Sequence, residues 1–457
     1  MSSWRNMGFA ASLVLALTST AAAYVLAEQA AIAAANVGTA TVLQYAAMSI
    51  AMLMAIATYQ PDHKHQQVAL IAAAVICRLL LIPVDAYTSN DIARYLFDGK
   101  LALEGFDPYS IRHDATVLDS LRALWQPPAE HVQYATLYPP LALGLFSMAA
   151  SSGVTSAVWI WKAMAAIAGI ATVFTAQKLL QLTGRQRYLP VIALSPLLIL
   201  ETGVGGHLDA FSTLAIALAL LALFRKKPVL AGMCIGAGTL LKLLPLAILL
   251  PAFFQCRHHK ERLHITAATL ITVAIGYATV IAMGMRPIGS IGVFFAKWRF
   301  GSPTFEAMHW LFQGDYLMPV LLVIFAVGCI WIAFDAWRHR LSPQQEWHHA
   351  DLIPWQTALA LPLLLSPVVF PWYLMPLALL SAFALRGWLL AWISLMPLTY
   401  EVLNHFIDAG YWQPATWPLW VIGLGVQLAL VIELVIKPRC DCKFHPQNNK
   451  GMVCSHW

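Results

Sequence analysis

Apolar residues run through this chain in stretches of about 20, recurring from Gly8 to Ile436, and each is long enough to cross a hydrocarbon core of roughly 30 Å. Roughly a dozen such runs predict an all-α fold, a polytopic helical bundle of about 11 to 14 transmembrane spans. The polar interruptions are of two kinds. Some are short and basic: "RKK" (Arg225 to Lys227), "CRHHKER" (Cys256 to Arg262), "RHR" (Arg338 to Arg340) and "KPR" (Lys437 to Arg439). The positive-inside rule sends these loops to the cytoplasm. The others lack basic clusters: the long stretch 85–136, the segment 285–315, the "SPVVFPWY" turn at 366–373 and the segment 401–413. Threading from an N-terminus inside through runs 8–27, 41–58 and 67–84 puts the first of these outside. Threading back from the last run (415–436) puts the rest on the same side. The first run also resembles a secretory signal peptide with a cleavage site at "TAAA", but spanning-length runs follow it and we read it as a retained helix.

Two places resist simple threading. Leu137 to Phe224 holds four apolar runs, at 137–150, 155–180, 188–201 and 207–224, although an outside start and an inside finish need an odd number. The short run that opens "YPPL" is the candidate for a re-entrant segment. Pro228 to Phe254 lies between two inside clusters, so it must enter and return as two half-length helices meeting near Lys242 and Pro245. Broken helices at membrane depth are tolerated only where they line a cavity or are buried in protein. No fixed-period repeat, low-complexity tract or soluble domain is visible. The expected organisation is a membrane domain over 1–436, with 85–136 as its external loop, and a cytoplasmic tail over 437–457.

Composition agrees: 60% of the chain is hydrophobic and only 11% charged, against roughly 25% charged in soluble domains. The formal charge of +6 is accounted for by the basic loops, so no nucleic-acid partner is invoked. Cys77, Cys234 and Cys329 fall in apolar runs and Cys256 in a basic loop, and no pair sits where an oxidising compartment would close it.

Candidate chemistry gathers on the outer side. In "TSNDIARYLFDGKLALEGFDPY" (Thr88 to Tyr109), Ile92, Tyr95, Leu96 and Leu103 recur at helical spacing. An amphipathic helix along the outer membrane surface is expected, with its acids at the water interface; the alternative is a solvated loop whose charges keep it out of lipid. Arg78, in "VICRLLLIPVD", either snorkels to the interface or holds an anionic group there. Lys242 lies inside an apolar, Gly-rich and Pro-broken run, where an ionisable residue is a functional candidate. "ETGVGGHLDAF" sets Glu201, His207 and Asp209 at the outer ends of two helices, with glycines that permit close backbone approach. "FFAKWRFGSPTF" brings Lys297, Trp298 and Arg299 to the same side, which suits a sugar stacked beside a phosphate and equally an interfacial aromatic belt. His405 and Asp408 are weaker candidates. No Walker loop, H-E-x-x-H, G-x-S-x-G or D-x-D pair occurs. Cys440, Cys442, His445, Cys454 and His456 in the tail match no standard zinc spacing, which favours a disordered tail over a metal site.

From Cys77 to Tyr373 the chain resembles the GT-C glycosyltransferases, specifically the bacterial polyprenyl-phosphate-sugar-dependent mannosyltransferases and their relatives, the eukaryotic GPI mannosyltransferases. The resemblance rests on Arg78, "NDIARYLFDGKLALEGFDPY", "LYPPLA", "LSPLLILETGVGGHLDAF", "LLKLLPL", "KWRFGSPTF" and "SPVVFPWYLMPL", the second being the most specific. It implies a catalytic Asp in the first long periplasmic loop, here Asp91, and a sugar, commonly mannose, donated from a polyprenyl monophosphate. Relatives often pair acids at this motif, whereas here Asn90 precedes Asp91; where many read G-H-N-D, this chain has Leu208. The expectation is an inverting hexosyltransferase of the bacterial inner membrane with its site facing the periplasm. Asp91 is expected to act as general base, Arg94 to orient it or bind the acceptor, Arg78, Lys242 and Arg299 to hold phosphate, and His207 and Asp209 to shape the sugar site. The expected partners are the lipid-linked donor, a glycolipid or glycan acceptor and the bilayer, with no cofactor and no metal. The rival classes are a transporter or flippase for a lipid-linked sugar and a non-catalytic assembly subunit.

Overall fold

The computed structural model describes residues 2–312, 314–339, 352–409 and 412–436. The tail residues Cys440, Cys442, His445, Cys454 and His456, together with Arg340, Lys437 and Arg439, lie outside them, as does the side chain of Asp408. The described chain is an all-α bundle without a strand; the single backbone bridge joins Phe300 to Val368. Among the described residues, six helices are long and apolar enough to cross a membrane, and five more apolar helices are only 10–17 residues long. The bundle is therefore built from whole and broken spans together.

Three helices open the chain: α1 (Ser2–Ala31), α2 (Val37–Thr58) and α3 (Lys64–Leu80). The following loop carries α4 (Asp91–Leu103) and α5 (Asp119–Trp125). Ser89 Oγ accepts the Asp91 N–H at 3.1 Å at the start of α4, and Gly105, at φ 81°, ends it in the left-handed region that favours glycine. Next come α6 (Pro140–Ala150) and α7 (Val154–Leu182). Pro140 opens α6 at the position where its missing N–H costs no hydrogen bond.

The expected amphipathic helix forms as α4, and its apolar face, with Ile92, Tyr95, Leu96, Phe97 and Leu101 buried, is covered by α6 and α7 of the protein itself. A Cβ on Gly99 would lie 2.3 Å from the Phe146 backbone, so α4 and α6 meet backbone against backbone. Asp98, expected at the water interface, is fully buried; it accepts hydrogen bonds from Thr136 Oγ1 at 2.7 Å and meets His113 Nε2 at 2.7 Å. This cluster fixes the middle of the loop, at His113, and its end, at Thr136, to α4.

The parity conflict resolves in α6. Its 11 residues span about 16 Å, half a bilayer core. Trp161, two turns into α7, meets Tyr95 of α4 at 5.4 Å and Phe146 of α6 at 5.3 Å between ring centroids, so the first turns of α7 run back alongside α6. The chain then crosses along α7 to Arg187, which shares a polar crevice with Arg5 and His63. It crosses back through α8 (Pro190–Ala193) and a π-helical turn (Leu197–Glu201) to His207, and again along α9 (Asp209–Phe224).

Beyond α9, α10 (Pro228–Leu241) ends where Lys242 turns extended at φ −153° and ψ 145°, followed by a 3-10 turn (Leu244–Ile248) and α11 (Leu249–Gln255). The break falls where the sequence places it. α12 (His259–Ala282) leads to short helices α13 (Ile291–Lys297) and α14 (Pro303–Leu311), then α15 (Leu317–Arg338) and α16 (Ile353–Leu365). α17 (Met375–Ser381), α18 (Gly387–Leu395), α19 (Val402–Ala409) and α20 (Trp417–Ile436) complete the fold. The polar interruptions without basic clusters meet at one end: Ser290 Oγ donates to Ala135 O at 2.7 Å, and Phe300 lies 5.2 Å from Trp412.

Candidate active site

At that end lies a cavity of about 1290 Å³, lined by Asn90, Asp91, Arg94, His131 and Lys242, by Trp298, Trp372, Tyr373 and Trp412, and by an apolar wall from α11, α15 and α16 that includes Leu250, Ile332 and Leu361. A volume above the roughly 300–1,000 Å³ usual for small-molecule pockets, with few polar groups and much apolar lining, suits a large amphiphilic ligand.

Asp91, at the first position of α4, stands over an aromatic cluster in which Tyr95 stacks on Phe146 at 4.6 Å and meets Tyr138 edge-on at 5.1 Å. Tyr95 OH donates to Asp91 Oδ2 at 3.2 Å. His207 Nδ1 lies 3.3 Å from the same oxygen, at ion-pair rather than close hydrogen-bond separation, and its Nε2 lies 3.4 Å from Glu201 Oε2. The imidazole stacks on Trp372 at 3.7 Å with the rings 12° apart. A Cβ on Gly205 would come within 2.4 Å of that ring, so only glycine fits there. Burial by itself raises the Asp91 carboxyl, but the nearby imidazole of His207, with His131 and Arg94 adding to it, brings it down to about 2. The group is a carboxylate throughout the physiological range.

The four expected cations separate cleanly. Arg78 is buried but does not line the cavity; it donates to Ala74 O at 2.8 Å and to Ala193 O and Ile192 O at 3.3 Å. The last two are carbonyls left free where α8 stops, and such orphan groups must be satisfied in a dry interior. Arg299 also lies outside the cavity, bonded to its own backbone at Trp298 O (2.8 Å) and set over Phe305. Lys242 reaches the cavity, yet Asp209 neutralises it with both oxygens at 2.7 Å, and its ammonium sits 3.8 Å from the Tyr373 ring centroid. Arg94 lines the cavity without an acid bound to it; Arg78 is also buried with its Nε unpartnered, but lies away from the cavity. Arg94 is 4% exposed, its Nε and Nη2 have no hydrogen-bond partner, and its guanidinium rests over Tyr138 at 5.7 Å. A buried cation without an anion is costly unless a ligand supplies one.

His131 is the residue that sequence reasoning missed. It lies in the irregular "PAEHVQY" stretch of the loop, where no spacing marks it. The fold brings it 5.3 Å from Trp298 with Nδ1 unpartnered. Burial and then the charge of Arg94 hold it down to about 4, against the pull of Asp91 and Glu130, so it is neutral near pH 7. Lys297 and His405 are exposed and do not line the cavity.

Among the described residues no cluster of three or more His, Cys, Asp or Glu is arranged to hold a metal ion. Comparison with known proteins gives one family: the model of the MptA_B family, described as the N-terminal domain of alpha-(1->6)-mannopyranosyltransferase, matches residues 5–257. That is more than half of the chain, which therefore belongs to this mannosyltransferase family. No curated protein and no solved structure matches.

Proposed function

We propose that this member of a mannosyltransferase family transfers mannose from a polyprenyl-phosphate donor to a hydroxyl of a glycolipid or glycan acceptor, with inversion, on the periplasmic face of a bacterial inner membrane. The observation that carries the reading is the pairing of Arg94, a buried guanidinium lacking an anion, with the Asp91 carboxylate in a cavity whose remaining wall is apolar. The apolar wall suits a lipid tail and Arg94 suits the phosphate at its head. A monophosphate leaving group carries less charge than a nucleotide diphosphate, so one guanidinium with neighbouring neutral donors can stabilise it. Arg94 takes the role expected of Arg78 and Arg299, which lie away from the cavity.

In the reaction the acceptor oxygen attacks the anomeric carbon opposite the phosphate. As that C–O bond forms, its proton passes to Asp91. The bond from the anomeric carbon to the phosphate oxygen breaks and leaves its electron pair on the phosphate beside Arg94. In-line displacement inverts the centre. The Lys242–Asp209 pair is a neutral unit beside Tyr373 and offers polar contacts to sugar hydroxyls, and Trp298 offers a face for the ring.

The test is transfer by membrane vesicles supplied with a polyprenyl-phosphate mannose and candidate acceptors. Asp91→Asn, which keeps the shape of the side chain, should lower product formation by a factor of about 100 or more at equal protein level. Near-parental turnover would remove Asp91 from the mechanism. Movement of intact donor across the vesicle without a new glycosidic bond would make the protein a transporter.

A further inference from the structure

The mechanism uses Asp91 and leaves unexplained the buried polar line behind it. His207 has no exposure and faces carboxylates on both sides, Asp91 and Glu201. Glu201, also fully buried, accepts hydrogen bonds from Tyr45 OH at 2.8 Å and from Tyr400 OH at 2.7 and 2.9 Å. Those tyrosines come from α2 and from the 3-10 turn before α19, so one line of polar groups ties four separate parts of the chain to the cavity floor.

Such a line is not what packing alone selects. A buried carboxylate is expensive, and apolar residues of similar volume would serve a structural joint as well or better. Local backbone features nevertheless serve this one arrangement. The π-helical turn ends on Glu201, Gly205 leaves the space the imidazole fills, and Trp372 stacks on the ring's face. Each restrains the rotation of His207, and with Nε2 directed to Glu201 the opposite nitrogen is directed to Asp91.

We propose that Glu201 is a positioning residue for the transfer reaction, acting through His207 to hold the Asp91 carboxylate ionised and aimed at the cavity, with Tyr45 and Tyr400 fixing Glu201. The inference rests on the reading of Asp91 as the base. The charged and titratable groups facing this line from neighbouring elements are Arg94 and Tyr95 on α4, Tyr87 and His131 in the loop, Tyr138 before α6, Asp209 on α9, Lys242 after α10 and Tyr373 before α17.

The experiment is the pH profile of transfer for Glu201→Gln, Tyr400→Phe and Asp91→Asn, in vesicles with a polyprenyl-phosphate mannose. With Glu201→Gln, kcat should fall about tenfold or more, the donor KM should stay within about twofold, and the acid limb should move to higher pH. The sign follows from Asp91: its carboxyl is held low, so loosening His207 lets it rise toward its ordinary value, and activity is lost at a higher pH. Tyr400→Phe, which removes the hydroxyl shared between the two Glu201 oxygens and leaves that of Tyr45, should move the limb the same way by less. Glu201→Asp, which keeps the charge, should recover part of the loss. An unchanged acid limb, whether kcat falls with protein amount or does not fall, would overturn the proposal. Asp91→Asn separates the two readings: if it retains turnover the base assignment fails, and if it is inactive while Glu201→Gln keeps the parental profile only the positioning role fails.

Discussion

Replacing Arg94 by methionine sets ligand binding and stability in opposition. The side chain is 4% exposed and makes no hydrogen bond from Nε or Nη2, so the unliganded protein carries its desolvation without an ion pair. An effective cost of several kcal/mol is ordinary for a buried ion. Against this stand the contact with Tyr138 and attraction to Asp91; a cation–π contact of this kind contributes about 1–2 kcal/mol. Methionine keeps much of the volume and removes the charge, so thermal unfolding in detergent should show a midpoint at or above that of the parent. Hydrogen bonds to a charged group contribute about 1.5–3 kcal/mol, which at about 1.4 kcal/mol per factor of ten raises the donor KM roughly 10- to 100-fold. The donor's stabilising effect on the midpoint should shrink in parallel. A variant with a lower midpoint and an unchanged donor KM would refute the argument, because Arg94 would then be structural.

Asp98 and His131 give two further tests. Asp98→Ala strands the His113 and Thr136 side chains in a site with no exposure and should cost about 2–4 kcal/mol, read as reduced yield and melting point; the folded fraction should retain most of its turnover, unlike Asp91→Asn. His131 in the folded protein is held down to about 4 from its ordinary 6.5, so the unfolded chain binds more protons between those values and stability rises with pH across that window. His131→Gln should flatten the pH dependence of the melting point between about pH 4 and 6.5, and an unaltered slope would show that His131 is not the group responsible.

The hydrophobic pattern made the helices, the gathering of polar segments at one end and the break at Lys242 legible, because lipid-solvated chains must write their spans as long apolar runs. The fate of individual charges was not legible. Arg78 stands in a span as a functional arginine would, but only the positions of Ile192 and Ala193 reveal that it serves carbonyls at the end of α8. Lys242 is as conspicuous in the sequence as any candidate, and its neutralisation by Asp209 depends on how α9 lies against α10. His131 carries no periodic or motif signal and reaches the cavity only through the path of the loop. The helix expected on the membrane surface is inside the protein because amphipathic spacing marks that a face is covered, not what covers it.

The break after α10 has a consequence for kinetics. Leu243 and Leu246 line the cavity while remaining 45% and 42% exposed on the apolar flank of the bundle, so part of that wall also faces outward from the bundle. Under the proposed function, a donor carried on a lipid reaches Asp91 and Arg94 through that side by lateral diffusion, and its effective concentration is its mole fraction in the surrounding leaflet. Diluting the vesicles with buffer should leave turnover unaltered, whereas diluting the donor with inert lipid at constant bulk concentration should slow it.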